Sequence, residues 1–339
     1  MSNPRNEQPL VSVVTPVYNG ADYLAECIDS VLTQTYENWE HVIVDNCSTD
    51  RTLDIAREYA AREPRLRVRS PGVFVDLVAS GNRSLREISP ESKYTKVLHA
   101  DDWLFPECLE RMVELAERHE TVGVVSAYRL EETGAVTLTG LSPSISVLSG
   151  GEICRSTLLG EPYPHLFGSP TSLLISSDLV RSHDPFYDPE YDVGEEYPFS
   201  EDVAACCEIL RERDFGFVHQ VLTFTRRDGR SPFSAFSRLG ANLPEHLNLV
   251  SKYGPVYLTK AEYQRVVAAY VVRYGFFLLR SVRRLANPEF RAYHAAAVRR
   301  ILGSVAARDV LEGLRLHARR AHERRRIRLR RRDRSITAS

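Results

Sequence analysis

Between Leu10 and Tyr128 the chain alternates short apolar runs with amphipathic stretches, and this rhythm leaves few folds open. Leu10–Thr15 (LVSVVT) is a largely apolar run rich in β-branched residues, the pattern of a strand buried on both faces. Pro16 and Asn19-Gly20 punctuate it. Tyr23, Leu24, Cys27, Ile28, Val31 and Leu32 then fall at helical spacing, with Asp22 near the helix start. The alternation continues through a strand at Glu40–Val44, a helix at Thr52–Ala61 and a strand at Leu66–Arg69. A helix at Val75–Ile88, a strand at Tyr94–His99, a helix from Pro106 to about His119 and a strand at Val122–Tyr128 complete it. Connections of this length are right-handed crossovers, and they build a parallel, doubly wound sheet flanked by helices. The expected class is α/β.

The rhythm changes after Leu130. Glu131–Ser149 reads as a hairpin or loop, Leu173–Ile175 as a short strand and Asp184–Phe199 as a Pro- and Tyr-rich loop. Glu201–Arg211 reads as a helix and Phe215–Phe224 as a strand. From Leu243 the pattern is helical.

Charge is distributed unevenly. Met1–Val250 carries 22 Lys+Arg against 39 Asp+Glu, a net of −17, whereas Ser251–Ser339 carries 22 against 6, a net of +16. Ten arginines lie between Arg319 and Arg334. Such a tail suits an anionic membrane surface. Nucleic acid is the less suitable partner, because the body is acidic and shows no basic, aromatic binding face. The apolar stripe Val266, Val267, Tyr270, Val271, Tyr274, Phe277 and Leu278 is expected to pack in a core. With no C-x-x-C among its six cysteines and no export signal, the chain reads as cytoplasmic, peripheral at the inner face of the plasma membrane.

In an open parallel sheet, ligands sit outside the carboxyl ends of the strands. Three polar clusters stand there: Thr15, Pro16 and Tyr18-Asn19; Asp45 through Asp50; and His99-Ala100-Asp101-Asp102. The paired carboxylates of the last are hard oxygen ligands suited to Mg²⁺ or Mn²⁺ bridging phosphates. G-x-G-x-x-G and G-x-x-x-x-G-K-[ST] are both absent, so neither a dinucleotide fingerprint nor a P-loop is expected.

These residues also carry a resemblance. VSVVTPVYN, SVLTQTYENWE and VDNCSTD resemble the opening of the family 2 glycosyltransferases, and HADDWLFP resembles that family's D-x-D segment. The resemblance covers residues 8–225 and implies a GT-A fold. Residues 8–240 would form the transferase domain, with 8–128 as nucleotide-binding half and 129–240 as acceptor-side half. Residues 241–318 would be a helical extension and 319–339 an Arg-rich tail. The implied activity is inverting transfer of one sugar from a UDP- or dTDP-sugar to a hydroxyl of a saccharide or lipid-linked acceptor, in cell-surface polysaccharide or glycolipid synthesis. By the same resemblance Asp45 would accept the N3–H of the base, and Thr15, Pro16 and Tyr18 would line its pocket. Asp101 would be the metal ligand and Asp102 would orient the sugar. His99 replaces the first acid of D-x-D, which leaves metal dependence open: it offers a hydrogen bond to ribose or phosphate, or a neutral imidazole ligand. Asp202 of Ser200-Glu201-Asp202 would be the general base, with Glu201 beside it and Glu195-Glu196 in reserve. Arg226, in Thr225–Ser231, would approach the diphosphate. A non-catalytic nucleotide-sugar-binding or scaffolding protein of the same fold is the alternative, motivated by His99.

Overall fold

The computed structural model describes residues 8–163, 166–189, 191, 200–227, 237–304 and 315. They fall into two compact units, 8–191 with 200–227, and 237–304 with 315. Glu195, Glu196, residues 228–231 and the arginines from 319 to 334 lie outside the described residues.

The first unit is built on one twisted sheet. Strands β1 (Val11–Val17), β2 (Trp39–Asp45), β3 (Leu66–Arg69) and β4 (Tyr94–Val97) pair in parallel, in the order β3-β2-β1-β4. Helices α1 (Leu24–Leu32), α2 (Thr52–Ala60) and α3 (Leu77–Leu85) are the crossovers, and α4 (Cys108–Arg118) follows β4 and the short strand β5 (Trp103–Leu104). The β-branched interiors of β1 and β2 are fully buried, as a sheet covered on both faces requires.

Beyond β4 the sheet departs from simple alternation. Strand β6 (Val122–Glu131) does not pair with β4. The three-residue strand β9 (Leu174–Ser176) lies between them, antiparallel to both. β6 then pairs in parallel with β10 (Asp214–Thr225), whose Phe224 stacks on Trp103 of β5 at 3.5 Å. Two small strands, β7 (Val136–Thr137) and β8 (Val147–Leu148), add to β6 and β10.

Two helices appear where none is expected, α5 (Gly150–Leu159) and α6 (Ser177–Ser182), ahead of α7 (Glu201–Ile209). The ends of α5 are written in the sequence. The Ser149 hydroxyl accepts from the Glu152 N–H, and Gly160 closes the helix at φ 72°.

The second unit contains helices α8 (Asn242–Tyr257), α9 (Lys260–Arg280) and α10 (Pro288–Ser304). Thr259 and Glu262 form a reciprocal capping box that starts α9. Val266, Val267 and Tyr274 are buried, as the apolar stripe predicts. The Tyr274 hydroxyl bonds His294 Nδ1 at 2.8 Å, and His294 Nε2 bonds the Leu239 carbonyl at 2.9 Å. The carbonyl can only accept, so Nε2 carries the proton and Tyr274 donates to Nδ1. No described helix is long and apolar enough to cross a membrane.

Candidate functional site

The loops that follow β1 and β2 are stitched to each other. Asn19 N–H donates to Ser48 Oγ at 2.9 Å, Thr49 N–H to Asn19 Oδ1 at 2.8 Å, and Gly20 N–H to Thr52 Oγ1 at 2.8 Å. Asp45, the last residue of β2, is 1% exposed and accepts from the Ser48 N–H and the Ser70 hydroxyl. Asn46 Oδ1 accepts from the Val75 N–H while its Nδ2 donates to the Val75 carbonyl, tying down the segment after β3. That segment carries Phe74, which is 58% exposed and meets the half-exposed Tyr18 ring edge-on at 5.0 Å. A buried carboxylate and an exposed aromatic pair therefore share the carboxyl ends of β1 and β2.

This turn contains a strained residue. Cys47 has φ 65°, a left-handed conformation that costs a residue with a Cβ about 1–2 kcal/mol. Glycine takes this conformation without that cost. We expect Cys47→Gly to raise stability by about 1 kcal/mol, the relief of that cost less the added freedom of the unfolded chain. Denaturant unfolding of the variant checks this, and a lower midpoint would refute the strain.

The third cluster lies just past β4. The potential ligand atoms of His99, Asp101 and Asp102 all lie within 4.8 Å of one another. Asp102 is 3% exposed and closely held. Its carboxylate accepts from the Arg226 N–H at 3.0 Å and from the Thr225 hydroxyl at 3.4 Å, and His99 Nδ1 stands 4.0 Å away. Thr171 acts on this carboxylate to lower its pKa, and its hydroxyl oxygen accepts from the His99 N–H at 3.2 Å. Burial raises the Asp102 pKa, with His99 opposing and Asp101 adding to the shift. Two carboxylates beside an imidazole form an N/O donor set with the charge to match a divalent cation.

Asp202 belongs to the same electrostatic neighbourhood. It sits in the first turn of α7, where its Oδ1 accepts from the Val203 N–H at 2.8 Å. Burial raises its pKa, and the Val203 amide, His99 and Arg129 pull it back. Arg129, 7% exposed near the end of β6, is fixed by Glu131 at 2.8 Å and by the Thr137 hydroxyl at 3.1 Å. Asp102 also acts on Arg129. A buried cation thus lies within electrostatic range of both Asp102 and Asp202.

Tyr18, Asp45, His99, Asp101, Asp102 and Pro16 all stand at or just inside the carboxyl ends of the parallel strands, and Glu201 immediately precedes Asp202. Two residues are placed otherwise than expected. Thr15 lies inside β1, fully buried, with its hydroxyl on His41 Nε2 at 2.9 Å and Cys27 Sγ at 3.9 Å. It therefore faces the core and lines no open pocket. His41 is itself desolvated, its pKa pushed down to about 3, so this bond joins neutral groups. Arg226 is the second correction. Its guanidinium donates to Glu26 at 2.6 Å and to the Asp101 carbonyl at 3.1 Å, and stacks over Tyr23 at 4.1 Å. It braces the Asp101-Asp102 segment and presents no open fork to a phosphate. Arg129 and Phe74 are the site groups that sequence reading passes over.

Residues 12–153 match the profile described as Glycosyl transferase family 2. A Bacillus subtilis protein named as the teichuronic acid biosynthesis glycosyltransferase TuaG is 30% identical over 155 residues, covering 46% of this chain and 61% of that one. The chain thus spans about three fifths of the length of that relative. Among solved structures, S. aureus TarS 1–349 superposes with a TM-score of 0.62 at 17% identity, covering 89% of this chain and 82% of that one. The same TarS fragment is known in complex with UDP and with UDP-GlcNAc. A mannosyltransferase from Pyrobaculum calidifontis, in complex with GDP-Man and Mn²⁺, superposes with a TM-score of 0.52 at 18% identity, covering 88% of each chain. At these identities the superpositions establish the fold.

Proposed function

We propose, from the premise that residues 12–153 are a family 2 glycosyltransferase domain, that this chain moves one sugar from a UDP- or dTDP-sugar to an acceptor hydroxyl with inversion. The observation that carries the reading is the convergence of His99, Asp101 and Asp102 within 4.8 Å at the end of β4. Asp45 accepts the base N3–H, and Tyr18 and Pro16 flank the base. TarS complexes with UDP and UDP-GlcNAc support a uridine donor. The TuaG likeness supports a cell-surface polysaccharide acceptor.

His99, Asp101 and Asp102 are the residues that would hold Mg²⁺ or Mn²⁺. A divalent ion there would supply positive charge to offset the negative charge of a leaving diphosphate. The Pyrobaculum complex with Mn²⁺ supports that assignment. Asp202 takes the proton from the acceptor hydroxyl as that oxygen attacks the anomeric carbon. Transfer assays across UDP-, dTDP- and GDP-sugars, with and without Mn²⁺, test the reading. Binding of a uridine nucleotide sugar without any transfer would favour the non-catalytic alternative.

The raised pKa of Asp202 gives this role a pH signature. A general base works as the carboxylate, so turnover rises with pH through its pKa. Because burial lifts that value, the acid limb falls above the ordinary aspartate value of about 3.9. A kcat profile whose acid limb lies at or below that value would refute Asp202 as the base.

A further inference from the structure

The inner face of α9 is fully used. Tyr270 stacks on His246 at 4.2 Å, Tyr274 bonds His294, and Phe277 meets Phe290 at 6.2 Å. Three large apolar residues near the end of this helix do not join that core. Phe276 is 60% exposed, Leu279 is 69% exposed, and Val282, in the 3-10 turn Val282–Ala286, is 58% exposed. Phe276 and Leu279 are three residues apart and share one side of the helix, and Val282 continues the strip. Folding of the described helices leaves these side chains in water, so their place in the fold is not explained by the core.

The surroundings identify the partner. Arg273, Arg280, Arg283 and Arg284 flank the strip and are all exposed. Arg284 lies over Phe290 at 4.3 Å and Arg273 over Tyr270 at 5.5 Å. Among the described residues, none of the four makes an ion pair with an acid. Between Lys260 and Ser304 the sequence holds nine Lys and Arg against two Glu, and Glu289 is already paired with Arg238. A short apolar strip inside an uncompensated cationic field matches a surface with apolar depth and negative charge.

We propose that Phe276, Leu279 and Val282 insert into the interface of an anionic bilayer while Arg273, Arg280 and Arg283 meet lipid phosphates. This contact shares no residue with the donor site and does not depend on its assignment. It is also distinct from attraction by the Arg-rich tail, because it has an apolar component and a fixed address on α9. Salt weakens the arginine contribution and leaves the apolar one.

Co-sedimentation of the full chain with vesicles tests this, comparing phosphatidylglycerol–phosphatidylcholine mixtures with phosphatidylcholine alone, at low and high salt. The wild type should bind the mixed vesicles and not the neutral ones. Phe276→Ala with Leu279→Ala should lower partitioning by at least about tenfold, since two large apolar side chains are lost from the interface. Arg280→Gln with Arg283→Gln should lower it by about fivefold per charge at low salt, and by much less at high salt. All four side chains are exposed, so the thermal midpoints should stay at the wild-type value and exclude misfolding as the cause. A chain ending at Ala318 should keep the apolar-dependent binding. The proposal is overturned if the wild type ignores anionic vesicles, if Phe276→Ala/Leu279→Ala binds as wild type does, or if truncation removes all binding. A dimer in solution that Phe276→Ala/Leu279→Ala dissolves would also overturn it, by assigning the strip to a second copy.

Discussion

Asp202→Asn is expected to lower turnover by about 10²–10⁴-fold, the usual span of general acid–base catalysis, and to leave UDP binding at the wild-type level. The substitution is nearly isosteric, and the amide oxygen can still accept from the Val203 N–H that holds Asp202 in the first turn of α7. What disappears is an anion able to take a proton at neutral pH. Removing a charge that His99 and Arg129 both face should, if anything, ease burial of the site. Donor affinity depends on other elements, the ends of β1, β2 and β4, so Kd for UDP should not move. Single-turnover transfer and calorimetric UDP titration on the same protein separate the two effects. Unchanged transfer would eliminate Asp202 and turn attention to its neighbour Glu201. Loss of UDP binding would assign Asp202 a structural part in the donor pocket instead.

Much of this site was legible because its polar residues sit where apolar strands end. Asp45 ends one strand and the His99–Asp102 run follows another, each recognisable from its β-branched or apolar content, and ligands of open parallel sheets sit outside such carboxyl ends. Thr15 reads as the last residue of its strand, but β1 runs on to Val17, so Thr15 lies inside the sheet with its hydroxyl on His41. Strand β9 has three residues, too few for a period to reveal that it would part β4 from β6. Arg129 reads in sequence as a polar residue just past the strand that ends at Tyr128. Its buried guanidinium is held by Glu131 and Thr137, and Arg227 shares the Glu131 carboxylate with it. The apolar stripe of α9 correctly announced a packed face. Phe276 and Leu279 were invisible as a separate strip because helical periodicity counts apolar residues without saying which of them the neighbouring helices cover.

Loss of the ligand set at β4 should be as damaging as loss of the base. Asp101→Ala is expected to reduce metal-supported transfer by about 10²-fold or more, as follows when several kcal/mol of charge stabilisation are lost. Its carboxylate is partly exposed and its main-chain carbonyl is already held by Arg226, so the backbone should survive the change. His99 makes the more discriminating prediction. Mg²⁺ favours an all-oxygen shell with several waters, whereas a nitrogen donor shifts a site toward transition ions. With His99 in place of an acid, Mn²⁺ should therefore bind better than Mg²⁺, and His99→Asp should narrow that gap. Pulsed electron paramagnetic resonance of the Mn²⁺–UDP complex reads the two halves of the reading separately. Coupling to ³¹P reports a diphosphate on the ion, and coupling to ¹⁴N that vanishes in His99→Asp reports the imidazole. Phosphorus coupling without nitrogen coupling would remove His99 from the ligand set while keeping the nucleotide-sugar donor. Absence of both, with UDP bound, would refute metal binding at His99, Asp101 and Asp102 altogether.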